Sequence, residues 1–235
     1  LGSVLKSLNK LKEAEISTNK AIELNPKYAE AYSNLSSILR DLGQFERAEL
    51  SIKKAIEIEP NFANAYCNLG AIYKDLDNLD EAERSTRKAI KINPELAEAY
   101  SNLGTILLEK GDILEAEIVT RKAIDLNQYS SLAHNNLGTI LKDLNKINEA
   151  CESYKNALNL DPENHVIKTE LIYTLSEIVE CEEIEKYLPS ISSIGIHSQS
   201  INPLKFLHLE DNPGKHLKRA LNYCNKKYKR NIIPL

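Results

Sequence analysis

Methionine is absent from the 235 residues, and glycine and proline are scarce, with 8 of each. So few helix breakers leave long segments free to stay helical. No run approaches the roughly 18–20 apolar residues of a transmembrane helix, and the N-terminus lacks the apolar core of a signal peptide. A membrane role is therefore not expected, and a cytoplasmic location follows from the missing export signal. Opening on Leu1 with no methionine, the chain reads as a piece of a longer protein. The four cysteines, Cys67, Cys151, Cys181 and Cys224, lie far apart and form no CxxC pair, which excludes a zinc ribbon and a small disulfide scaffold. Isolated thiols on helical segments read as small buried hydrophobes. Charge of one sign is lacking too: the net value of −4 makes no general case for nucleic acid or membrane binding.

Internal repetition is what the chain does have. Ala29-Glu-Ala-Tyr-Ser-Asn-Leu35 returns as Ala63-Asn-Ala-Tyr-Cys-Asn-Leu-Gly70, then as Ala97-Glu-Ala-Tyr-Ser-Asn-Leu-Gly104, then as Ser131-Leu-Ala-His-Asn-Asn-Leu-Gly138. Small residues recur in the same step as Ala14, Ala48, Ala82, Ala116 and Ala150, and again as Ala21, Ala55, Ala89, Ala123 and Ala157. Pro26, Pro60, Pro94 and Pro162 close the units, with Gln128 once in the proline's place.

Each unit holds two helical periodicities, such as Tyr66, Leu69, Ile72, Tyr73 and Leu76, then Leu79, Ala82 and Ala89-Ile90. A break near Asp77-Asn78 separates them, and Asn93-Pro94 stops the second by removing an N–H and crowding the preceding turn. Gly70, Gly104 and Gly138 fall where two helix backbones must approach closely. The pattern of aromatic, Leu-Gly, paired alanines and closing proline at a period of 34 resembles the tetratricopeptide repeat. The likeness runs from Leu1 to Pro162 as a truncated first repeat and four full ones. It implies an all-α, right-handed superhelical solenoid of helix hairpins with a helical C-terminal extension. Residues 163–189 read as capping helices and 190–235 as a linker and terminal helix, in which Leu217, Leu221, Cys224 and Tyr228 make an apolar stripe suited to self-association.

Function is then expected on the face formed by the first helix of each unit. Asn34, Asn68, Asn102 and Asn136 recur there in register. A carboxamide both donates and accepts, so it can pair with an extended peptide backbone without reading side chains. Helices stack about 8–10 Å apart and an extended chain advances about 3.3 Å per residue, so one asparagine could grip every third peptide residue. The competing reading makes these asparagines structural hydrogen-bonding residues between repeats, or merely solvated. Asp41, Asp75, Glu109 and Asp143 recur at the same period and could add an acidic strip favouring cationic partners. A clamp for C-terminal carboxylates, found in some tetratricopeptide proteins, needs cations on these helices. The corresponding first-turn residues Glu30, Asn64, Glu98 and Leu132 supply none.

Catalytic signatures are missing: there is no glycine-rich phosphate loop, no GxSxG elbow and no HExxH. His134 stands where other repeats carry tyrosine and reads as a packing residue. Residues 205–230 carry eight Lys or Arg against two acids. Without interleaved aromatics this stretch reads as a solvated or docking helix rather than a nucleic-acid site.

In-register asparagines in such repeats also resemble the O-linked N-acetylglucosamine transferase and SPINDLY family. Glu180-Cys-Glu-Glu-Ile-Glu-Lys-Tyr-Leu188, Ile196-His-Ser-Gln-Ser-Ile-Asn-Pro-Leu204 and Leu209-Glu-Asp-Asn-Pro-Gly-Lys-His-Leu217 resemble its post-repeat segments. The resemblance implies an acceptor-recognition arm whose nucleotide-sugar-binding lobes would lie beyond Leu235. It places His197 beside the sugar donor of those lobes, although Ser198-Gln199 departs from the family's His-rich run. No cofactor is expected in this chain itself. The alternative is a free-standing scaffold for protein or peptide partners, unconnected with glycosylation.

Overall fold

The computed structural model describes residues 2–8 and 10–177. They form helices α1 (Gly2–Ser7), α2 (Leu11–Leu24), α3 (Ala29–Asp41), α4 (Phe45–Ile58), α5 (Ala63–Asp75), α6 (Leu79–Ile92), α7 (Ala97–Lys110), α8 (Ile113–Leu126), α9 (Ser131–Asp143), α10 (Ile147–Leu160) and α11 (His165–Glu177), with no strand among the described residues. The expected all-α hairpin repeat is therefore what the chain adopts. The described residues fall into two compact units, divided between Gln128 and Tyr129. Of the segment 163–189 expected to form capping helices, α11 falls within the described residues and 178–189 lies outside them. His197, the terminal apolar stripe and the basic stretch 205–230 lie outside the described residues.

In the first unit, α1/α2, α3/α4, α5/α6 and α7/α8 are antiparallel hairpins, and the second helix of each packs on the first helix of the next. First helices also touch one another, α3 against α5 and α5 against α7, which builds a face from corresponding residues of successive repeats. The second unit repeats the arrangement with the α9/α10 hairpin and α11 packed on α10.

Local chemistry explains where the helices stop. Asn25, Glu59, Asn93 and Asp161, each preceding a proline, have ψ between 76° and 96°. This is the extended region into which a following proline ring forces its neighbour. Asn127 has the same geometry (φ −147°, ψ 89°) although Gln128 follows it. The turn survives without the ring. At the tips of α3/α4, α5/α6, α7/α8 and α9/α10 sit residues of positive φ: Gly43 (73°), Asp77 (61°), Gly111 (89°) and Asn145 (59°). These recur every 34 residues and are residue types that enter the left-handed region at low cost.

The core consists of the repeating small and aliphatic positions. Ala48, Ala82, Ala116 and Ala150 are fully buried, as are Ile38, Ile72, Ile106 and Ile140. Gly70 and Gly104 face Thr86 and Thr120 of the paired helix, and Gly138 faces Tyr154. A Cβ on Gly70 would lie 3.0 Å from the Ala82 carbonyl oxygen and collide with the Thr86 hydroxyl. The close approach inferred from the glycines is thus a contact between helices of one hairpin.

Candidate functional site

Ala31, Leu35, Ile38 and Leu39 are buried on α3. This leaves Glu30 and Asn34 exposed on the opposite face, along a line that Asn64 and Asn68 continue on α5. Glu30, Ser33, Asn34, Phe62, Asn64, Asn68 and Glu98 line one groove of about 270 Å³ within the first unit. Two of the four sequence-predicted asparagines, Asn34 and Asn68, thus share a groove. Asn102 occupies the same register on α7, and Asn136 lies half-buried on α9 of the second unit.

The amides differ in what they already hold. The Asn34 side chain is exposed and makes no hydrogen bond among the described residues. Asn68 donates from Nδ2 to Ser33 Oγ at 3.0 Å, and Asn102 donates from Nδ2 to Cys67 Sγ at 3.2 Å. Each acceptor stands one residue before the asparagine of the preceding repeat. Such a bond uses one N–H of a group with two donors and two acceptor lone pairs, so the carbonyl oxygen and second N–H stay available. The register therefore serves stacking between repeats and leaves pairing capacity towards the groove. Ser33, Cys67 and Ser101 also recur at 34 residues, a periodicity in the sequence that marks the acceptors.

The acidic strip has a different fate. Asp41 pairs with Lys6 at 3.2 Å, Asp75 with Arg40 at 2.7 Å and Glu109 with Lys74 at 3.6 Å. In each case the cation comes from the preceding repeat; Arg40 and Lys74 stand one position ahead of that repeat's own acid, and Lys6 one position ahead of Ser7. These carboxylates are spent on joining neighbouring repeats. Asp143 is exposed on α9 of the second unit, and the sequence position equivalent to Lys6, Arg40 and Lys74 is Leu108.

Glu30 and Glu98, by contrast, face the groove without a cation. Glu30 accepts a hydrogen bond from the Tyr28 hydroxyl at 2.9 Å, which raises the tyrosine's pKa. The Glu98 carboxylate has no hydrogen bond or ion pair among the described residues. No lysine or arginine lines the groove. The sequence marks both glutamates only as lacking the charge a carboxylate clamp needs; their convergence on one groove is visible only in three dimensions.

Cys67 is 2% exposed, and burial pushes its thiol up to about 12, so it is a packed, protonated acceptor rather than a nucleophile. No group of three potential metal ligands exists among the described residues, and no described helix is long and apolar enough to cross a membrane.

Tetratricopeptide repeat models match residues 1–28, 18–49, 63–96, 86–118 and 131–164, and a related repeat model matches 37–77. Together they span 1–118 and 131–164, well over half of the chain. Comparison with curated proteins finds no match. Among solved structures, PilF of Pseudomonas aeruginosa is 18% identical with a TM-score of 0.73, covering 88% of this chain and 92% of that one. A thermophilic repeat protein of Thermus thermophilus is 21% identical with a TM-score of 0.67, covering 74% and 95%. YrrB, described as having an unusual peptide-binding site, is 24% identical with a TM-score of 0.57, covering 81% and 96%. At these identities the likeness is one of fold.

Proposed function

Because the chain belongs to the tetratricopeptide repeat family, whose members bind protein or peptide partners, we propose that it holds extended peptide segments along the first-helix face. The observation that carries this reading is the groove in which Asn34 and Asn68 stand in successive repeats with pairing capacity to spare. Backbone pairing at about 0.5–1.5 kcal/mol net per hydrogen bond gives modest affinity and wide sequence tolerance. YrrB, which shares the fold, has a peptide-binding site of its own. The test replaces Asn34, Asn68, Asn102 and Asn136 by alanine and measures binding of unstructured peptides, with helicity checked by circular dichroism. Weakened binding in a folded variant is the expected result. Unchanged affinity refutes the asparagine mechanism.

A more specific form of this reading makes the chain the acceptor-recognition arm of a protein O-glycosyltransferase. It rests on the in-register asparagines and on segments 180–188, 196–204 and 209–217. In that case His197 would work only beside a separate nucleotide-sugar-binding region. The competing form is a free-standing scaffold, which the repeat architecture supports equally. Coding sequence that continues past Leu235 into a βαβ pattern is expected on the first form. Its absence selects the scaffold.

A further inference from the structure

We infer that the groove of the first unit selects extended segments carrying lysine or arginine, and that Glu30 and Glu98, rather than the recurring acids Asp41, Asp75 and Glu109, make the selection. This rests on the peptide-binding reading above and adds a partner chemistry to it.

The carboxylates of the recurring strip are neutralised by Lys6, Arg40 and Lys74 of the preceding repeats. An incoming cation would have to compete with a tethered one, so that strip offers little net attraction. Glu30 and Glu98 occupy the same position of α3 and α7, with Asn64 at that position of the intervening α5. Both line the groove, both are exposed, and no basic side chain accompanies them. The Tyr28 hydroxyl donates to Glu30 and restricts that carboxylate. Phe62, half-buried in the wall, offers an apolar surface for the methylene stem of a long basic side chain. The groove therefore combines amides for the peptide backbone, an aromatic wall for a side-chain stem, and carboxylates for its charged head. Acidic segments would meet only like charge, which adds discrimination by repulsion.

The experiment uses the full chain and three synthetic peptides of equal length on a neutral polar sequence, bearing two lysines, two norleucines or two glutamates. Exposed ion pairs contribute about 0.2–1 kcal/mol each, so with two lysines the peptide is expected to bind roughly twofold to thirtyfold tighter than the norleucine peptide. That margin should shrink as salt shortens the screening length from about 10 Å at 0.1 M towards 3 Å at 1 M. Replacing Glu30→Gln and Glu98→Gln together should abolish the margin. Glu46→Gln with Glu95→Gln, the same change in net charge away from the groove, should preserve it. Equal binding of the lysine and norleucine peptides overturns the inference and leaves the peptide-binding reading standing, as does a margin that survives Glu30→Gln/Glu98→Gln. Failure of all three peptides to bind overturns both. If the lysine peptide fails while the chain self-associates through Glu30 and Glu98, the occupant is a second copy and the foreign segment is excluded.

Discussion

Replacing Gly70 by alanine sets two opposing quantities against each other. Alanine inside a helix is favoured over glycine by about 1 kcal/mol. The new methyl group, however, would collide with the Thr86 hydroxyl and lie 3.0 Å from the Ala82 carbonyl oxygen and 3.4 Å from Thr86 Cβ. Thr86 has no room to retreat, since it is fully buried and donates from Oγ1 to the Ala82 carbonyl at 2.8 Å. Overpacking of this kind costs about 1–3 kcal/mol, so Gly70→Ala should be neutral to destabilising by about 2 kcal/mol. Thr86→Ala alone gives up a buried hydrogen bond worth about 0.5–1.5 kcal/mol. The double variant removes the obstructing hydroxyl, and the helix-propensity differences cancel in the cycle. It should therefore be more stable than the sum of the singles by about 1–2 kcal/mol. Urea unfolding of the four proteins, followed by far-ultraviolet circular dichroism, measures that coupling. Additivity within about 0.5 kcal/mol would show that the helices shift apart freely and that the glycine is not needed for close approach.

Ser36, which stands where the next repeat has Gly70, is fully buried with a hydroxyl that finds no partner among the described residues. Ser36→Ala should raise stability by about 1 kcal/mol in the same unfolding assay, because an unpaired buried hydroxyl carries its desolvation cost uncompensated. Gly43 has φ of 73°, and a methyl group placed on it would meet nothing within 4 Å, so Gly43→Ala should cost about 1–2 kcal/mol from backbone conformation alone. Asp77→Gly at the equivalent turn should be neutral or mildly stabilising in denaturant titrations. The Cys67 thiol should resist alkylation at neutral pH until the chain unfolds, as its burial and raised pKa require. Between its ordinary value of 9.0 and about 12, the unfolded chain releases this proton while the folded chain keeps it. The contribution of Cys67 to stability is thus intact below pH 9.0 and falls as pH rises through that window, which alkaline melts of the wild type and Cys67→Ala would compare.

Hairpin boundaries were legible because the signals act locally: a proline forces the residue before it out of the helix, and a residue tolerant of positive φ permits the tip. The tip signal itself, Gly43, Asp77, Gly111 and Asn145, repeats as regularly as the prolines. It is masked in the sequence because three residue types share one backbone conformation. The partners of the asparagines were harder to read. A register of amides is compatible with both a free ladder and a stacking bond. The choice depends on whether Ser33 and Cys67 lie within hydrogen-bonding reach.

Periodicity by itself determined the helices, their pairing into hairpins and the face that carries the asparagines, since each follows from side chains a few residues apart. Only tertiary structure decided which charges remain unspent. Asp75 and Glu98 are both acidic residues on first helices, yet one meets Arg40 of the preceding repeat at 2.7 Å and the other faces a groove without a cation. Electrostatic attraction depends on separation in space, and stacking brings together residues some 35 positions apart that no local pattern connects.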